Sequence, residues 1–263
     1  MRIARVGVEG AVRFVDLGDE NAREIDGHPF GEDELVFTGR QWPLAQLKLL
    51  APVLPSKVIA VAHNYRAHAV ETGATLPPEP MIFIKPSTSV IGPGDPIMRP
   101  RQSNRVDYEA ELAVVIGRLC RDVPAERAEQ VILGYTAAND VTARDLQASD
   151  GQWSRAKGFD TFCPLGPWIE TDIDLSGPAV PGESELRVQC LLNGLVVQDS
   201  NTADMIFRVA DLIAWISSAI TLLPGDVILT GTPAGIGPMA AGDEVEVRID
   251  GLGPLINPVI DRP

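Results

Sequence analysis

The chain is poor in cysteine, histidine, aromatic side chains and positive charge. Its 263 residues hold three Cys, three His, 5% aromatics, and 22 Lys and Arg against 36 Asp and Glu, a formal net charge of −14. Each shortage excludes something. Cys120, Cys163 and Cys190 have no C-x-x-C spacing. They suit neither a disulfide framework nor a zinc cluster, and read as reduced, buried small hydrophobes of a cytoplasmic protein. The acidic balance argues against nucleic acid as a partner, because phosphate backbones attract clustered Lys and Arg. A local basic pocket can still hold a small anion. No apolar run reaches the ~18 residues that span a bilayer, and the opening MRIARVGVEG lacks the apolar core of a signal peptide. Neither a membrane nor export is expected.

What the chain does have is many short apolar runs punctuated by turn residues. Runs 3–8 and 12–15 flank Glu9-Gly10, a hairpin signal; runs 186–192 and 195–198 flank Asn193-Gly194, a stronger one. Segment 18–39 is acidic and aperiodic and reads as irregular. Residues 43–50 have helical spacing behind Pro43, and Pro52 and Pro55 then break the chain. A boundary near 55 separates a small N-terminal domain (1–55) from a larger one (56–263). In the larger part 58–62, 81–85, 111–117, 135–139, 226–229 and 244–249 read as strands, and 86–105 as loop. Helices are expected at 66–72, after Pro124, at 141–149 and over 202–217, the last amphipathic and capped by Asn201 or Thr202. No βαβα rhythm appears, which favours an α+β fold with a mixed, curved sheet.

Three acids stand out. In Val106-Asp107-Tyr108-Glu109-Ala110-Glu111-Leu112, Glu109 and Glu111 are two apart at the start of an apolar strand, so they share a face. Carboxylates this close repel unless a cation lies between them or one keeps a proton. A solvated strand edge is the plainer alternative, awkward beside so apolar a flank. Asp140 ends an extended segment and would also serve as the cap of a helix starting at 141. Three carboxylates without a Cys or His cluster make a hard-oxygen set suited to Mg²⁺, Mn²⁺ or Ca²⁺ and not Zn²⁺. Arg144 and Gln147 share a helical face and Lys157 follows; each taken alone reads as surface. His68 and Glu71 stand three apart, where a carboxylate orients an imidazole to activate water, or where the two simply form a surface pair. The Gly-rich turn 229–237, with Thr232, offers an anion nest or plain punctuation; it fits no nucleotide-binding pattern.

In order along the chain, NYRAHAVE (64–71), IFIKPSTSVIGPGDPI (82–97), VDYEAELAVVIG (106–117), GYTAANDVTARDLQ (134–147), KGFDTFCPLGP (157–167), NTADMIF (201–207) and PGDVILTGTPAGIG (224–237) resemble the fumarylacetoacetate hydrolase family, from about residue 56 to the end. The resemblance implies an α+β β-roll with a short N-terminal domain, assembled as a homodimer. It implies Glu109, Glu111 and Asp140 as ligands of Mg²⁺ or Mn²⁺, with Ca²⁺ as a non-native occupant. It implies His68 and Glu71 as a catalytic pair on a lid, and Arg144, Gln147, Lys157 and Thr232 as contacts to the oxo-acid end of a small 2-oxo acid, Lys157 counting also as a catalytic group. The expected reaction is acylpyruvate hydrolysis or oxaloacetate decarboxylation. The alternative is an isomerase or decarboxylase acting on 2-hydroxyhepta-2,4-diene-1,7-dioate, and the remote one a non-catalytic ligand-binding relative. In the expected mechanism Lys157 faces the developing enolate, His68 activates water, and the turn 231–235 holds the substrate carboxylate. One departure bears on substrate preference: His63 stands before Asn64, where relatives more often carry Leu, Arg or Lys.

Overall fold

A computed structural model describes residues 1–31, 34–175 and 185–262. Sheet dominates, as the many short apolar runs require. The main sheet has twelve strands. Its path runs Phe37–Pro43, Asn21–Ile25, Ala11–Leu17, Arg2–Val8, Cys163–Glu170, Ile132–Asn139, Ala110–Ile116, Val227–Leu229, Val58–Ala62, Met81–Lys85. Along that path only Val227–Leu229 and Val58–Ala62 are parallel neighbours. Val58–Ala62 and Ala110–Ile116 are buried at every residue, which is why the first throughout, and the second from Leu112 on, read as apolar runs and not as alternations.

A second sheet of five strands, among them Arg187–Leu192, Glu244–Ile249 and Leu255–Asp261, packs with the helix Val209–Ala219 over the main sheet. Val188, Val245, Val247 and Leu255 share one core with Leu112, Val114, Leu212 and Ile216. Truncating a core residue such as Leu212 to Ala would cost about 2–5 kcal/mol. The N-terminal strands keep a smaller core of their own (Ala4, Val6, Val15, Leu17, Ala22, Trp42). They also continue the main sheet, through Arg2 opposite Glu170 and Ile3 opposite Ile169.

Both hairpins form as read. Glu9 and Gly10 (φ 50° and 74°) and Asn193 and Gly194 (φ 51° and 78°) carry the paired positive φ of a tight two-residue turn. Elsewhere long-range pairing overrides local pattern. Segment 18–39 contains the strand Asn21–Ile25 and the start of Phe37–Pro43, whose order comes from pairing with each other. Residues 43–50 form no α-helix: a 3₁₀ turn, Leu44–Gln46, is followed by Lys48–Leu49, which pairs with Arg2–Val8. Ala125–Val131 after Pro124 is 3₁₀, not α. The stretch 86–105 is not all loop, since Ile97–Arg99 pairs with Leu255–Asp261. Residues 141–149 divide into the short strand Thr142–Ala143 and the helix Arg144–Asp150. Asn201 caps only a 3₁₀ turn, accepting from Ala203 N, and the α-helix begins at Val209. Ile206 and Phe207 are held out of it because their amides donate to Asn64.

Candidate active site

The parallel strands Val58–Ala62 and Val227–Leu229 end side by side and lead into Asn64 and Gly231. Asn64 is fully buried and acts as a clamp. Its Nδ2 donates to the carbonyls of Phe207 (2.9 Å) and Thr230 (2.7 Å), and its Oδ1 accepts from Phe207 N (2.8 Å). Gly231 and Gly235 have φ of +97° and +103°. A Cβ there would lie 2.7 Å from Asn64 Cβ and 2.2 Å from Val197 O, so only glycine fits. Their amides donate to Glu111 Oε2 (2.6 Å) and Glu71 Oε1 (2.9 Å). At these two positions the turn therefore serves the protein's own carboxylates, a correction to the expectation that it holds a substrate carboxylate.

Register brings the three acids together. Ala110 lies opposite Asn139 and Glu111 opposite Ala138, and Asp140 N donates to Glu109 O (2.9 Å). One carboxylate oxygen from each of Glu109, Glu111 and Asp140 lies within 4.8 Å of the others, and all three residues are buried. Asp140 caps no helix, because the helix starts at Arg144 behind Ala143.

The cations that read singly as surface charges face this cluster. Lys157 Nζ donates to Glu109 Oε2 (2.8 Å) and Asp140 Oδ2 (2.6 Å). Arg144 donates to Glu109 Oε1 (2.5 Å), to Asp107 Oδ2 (3.0 Å) and to Gln147 Oε1 (2.7 Å). The second oxygen of Asp140 is taken by Lys85. Burial alone would push Glu109 up, but Lys157 and Arg144 hold it well below the usual carboxylate range. Glu111 goes the other way: burial, then the charges of Asp140 and Glu109, push it well above that range. Lys157 would be lowered by burial, yet Asp140 and Glu109 hold it above the ordinary lysine value. The crowding that separates the two glutamates is the kind a divalent ion relieves, and the donors are all hard oxygens.

His68 lies on the short helix Arg66–Glu71, its Nδ1 3.0 Å from Glu71 Oε2. The Thr232 hydroxyl donates to Ala110 O (2.9 Å) and accepts from Gln198 Nε2 (2.9 Å), so its hydrogen is already committed. All nine residues singled out from the sequence line one cavity of about 510 Å³, with His63, Phe83, Arg105 and Trp153 completing much of its wall. Sequence reasoning missed Lys85, Asp107, Phe83 and Trp153. For Lys85 a signal existed, a single charge closing the apolar run MIFIK; Asp107, one residue inside the acidic motif, also had one.

Comparison with known proteins bears on the family of the chain as a whole. The family model described as fumarylacetoacetate (FAA) hydrolase, C-terminal, matches residues 57–260, and one described as Rv2993c-like, N-terminal, matches residues 1–52. The chain is 52% identical to Protein Rv2993c of Mycobacterium tuberculosis, over 100% of this chain and 99% of that one. It is 44% identical to the rat mitochondrial oxaloacetate tautomerase Fahd2a, over 83% of this chain and 71% of the relative. A solved structure of 2-hydroxyhepta-2,4-diene-1,7-dioate isomerase from Mycobacterium marinum superposes with a TM-score of 0.90 at 48% identity, covering 100% of this chain and 99% of that one. The motifs, the register that unites them and the span of the match lead to one conclusion: this chain belongs to the fumarylacetoacetate hydrolase family.

Proposed function

We propose that this protein moves a proton on a small 2-oxo acid, interconverting keto and enol or isomeric diene forms, with Mg²⁺ or Mn²⁺ held by Glu109, Glu111 and Asp140. The observation that carries this is the convergence of three buried carboxylates from separate segments, faced by Lys157 and Arg144. Hard oxygen donors in a buried cluster suit a small divalent ion. When bound, that ion supplies Lewis-acid polarisation of the 2-oxo group.

The chain's own residues do the rest. Lys157 and Arg144 bring positive charge to the wall where negative charge develops on the oxo oxygen. Gln147 fixes the Arg144 guanidinium. Glu71 accepts from His68 Nδ1, which leaves Nε2 as the proton carrier. His68 takes a proton from the carbon beside the oxo group; the C–H electron pair moves toward that oxygen. The proton is then returned to the oxygen, giving an enol (a 2-hydroxy diene where a further double bond is conjugated), or to the far carbon of that conjugated system, restoring the oxo group and giving the isomeric 2-oxo alkene.

Proton transfer is favoured over cleavage because the rat relative is named a tautomerase and the M. marinum structure an isomerase. Carbon–carbon cleavage, by acylpyruvate hydrolysis or oxaloacetate decarboxylation, is the second reading. The His68–Glu71 geometry favours it, since the same pair would prepare a water. We also assign residues 1–55 to a small N-terminal domain, the main sheet to a β-roll, and the protein to the cytoplasm as a homodimer.

Mass spectrometry of products from oxaloacetate, acylpyruvates and the heptadienedioate, with Mg²⁺ and Mn²⁺, separates these readings. Isomerisation conserves mass, hydrolysis adds water and decarboxylation loses CO₂; cation binding with no turnover on any would mark a non-catalytic relative. Glu109→Gln and Asp140→Asn should each lose cation binding and at least about 100-fold in turnover. Undiminished turnover by metal-stripped Glu109→Gln would sink the proposal.

A further inference from the structure

His63 lies between the strand Val58–Ala62 and the Asn64 clamp, with φ of +51°. A non-glycine residue in the left-handed region is strained and persists only where its surroundings impose it. Here the hydrogen bonds of Asn64 impose it, and the ring is placed on the cavity wall. It stacks on His68 (centroids 5.7 Å, 26°) and meets Trp153 edge-on (6.0 Å, 79°).

Almost every other polar side chain of that wall is already committed. Glu71 is bonded to His68, Thr72 to the His68 carbonyl, Arg105 to Asp107, Gln147 to Arg144, and Thr232 to Ala110 and Gln198. The rings of His63 and Trp153 carry no hydrogen bond among the described residues; His63 Nδ1 is closed off, so Nε2 is the ring nitrogen open to a ligand in the cavity both residues line. An indole N–H only donates, and an imidazole without extra charge has one N–H to donate. Two such donors on one wall suit an acceptor oxygen that carries no hydrogen of its own.

We infer that His63, beside Trp153, is a specificity-determining residue that binds a carbonyl or carboxylate oxygen on the tail of the 2-oxo acid, away from the Glu109–Glu111–Asp140 end. This rests on the proposed function, whose candidate substrates all carry a second oxygenated end, and names the residue that reads that end.

Three probes test it with the full-length Mg²⁺-loaded protein: oxalate, which mimics the chelating end and has no tail; 2-oxobutyrate, whose tail is apolar; and oxaloacetate, whose tail ends in carboxylate. His63→Phe keeps an aromatic ring for stacking and removes both nitrogens. It should raise KM for oxaloacetate about tenfold, the worth of one hydrogen bond in such a site, with inhibition by oxalate and 2-oxobutyrate unchanged within about twofold. His63→Asn, which tolerates positive φ, repeats the test should the Phe variant fail to fold, and the same pattern is expected. Equal weakening of all three probes would make His63 a prop for His68 and overturn the inference, as would no change in any. Failure of oxalate to bind the unmodified protein would instead remove the proposed function, and the inference with it.

Discussion

Two ion pairs of nearly equal length show what burial does to the same chemistry. Arg187 and Asp199 meet at 2.5 Å with side chains 54% and 41% exposed; Lys157 and Asp140 meet at 2.6 Å with side chains 3% and 1% exposed. The first joins the two strands of a hairpin across solvent, where such a pair contributes about 0–1 kcal/mol. The second belongs to a cluster in which Lys85, Lys157 and Arg144 face Glu109, Glu111 and Asp140. Burying that many charges costs several kcal/mol per ion before pairing offsets it. Apolar residues would fill the space more cheaply, so distance alone says nothing about purpose. The cost of keeping charge inside is what sets the cluster apart from the rest of the molecule and motivates the function proposed for it. The His68–Glu71 pair, 7% and 31% exposed, stands between the two.

Changes that exploit this contrast rank by expected effect. His68→Gln should lower turnover about 10²- to 10⁴-fold, the usual worth of a general acid–base group, while calorimetry shows Mn²⁺ binding retained. Loss of binding in the same variant would mean that the half-buried pair belongs to the ion site. Lys85→Met leaves one oxygen of Asp140 without its cation. Chemical denaturation of the chelator-treated protein should show about 3–5 kcal/mol of lost stability, as when a buried pair is broken from one side.

Glu111 provides a pH test. Its raised value means that the folded, chelator-treated protein keeps a proton the unfolded chain has already released. Stability should therefore fall as pH rises above the ordinary carboxylate range, by up to about 1.4 kcal/mol per unit, or roughly 3–5 °C in Tm for a chain of this size. Saturating Mg²⁺ should flatten that slope, and a chelator-treated Tm that climbs through the same interval would contradict the assignment. At the other extreme, Arg187→Ala should cost less than about 1 kcal/mol, and that small effect should fade further in high salt.

The parts of the molecule visible in sequence are those where neighbours along the chain decide the outcome. Asn193-Gly194 and Glu9-Gly10 announce hairpins because the turn itself demands positive φ. Glu109 and Glu111 announce their closeness by standing two apart, although Glu109 falls in the break between the strands Val106–Tyr108 and Ala110–Ile116 and not within one strand as the alternation implied. Lys85 shows locally only as the one charge closing MIFIK; its partner Asp140, 55 residues away, has no local sign. The strand Asn21–Ile25 has weak local pattern and exists through its partners on both sides. Residues 202–208 carry helical spacing, yet Asn64 and Tyr65 draw Met205, Ile206 and Phe207 into other contacts. In the turn 229–237 the glycines are plain in sequence, but the carboxylates they serve are fixed by residues 71 and 111, far away along the chain.

The continuity of the main sheet across residue 55 has a consequence for anyone trimming the protein. A fragment that begins after that point would leave the first-strand side of Cys163–Glu170 without its partners Arg2 and Ile3, and would uncover Ile169. Bare strand borders of that kind template pairing between molecules. The shortened chain should therefore self-associate, even though every residue lining the 510 Å³ cavity would still be present.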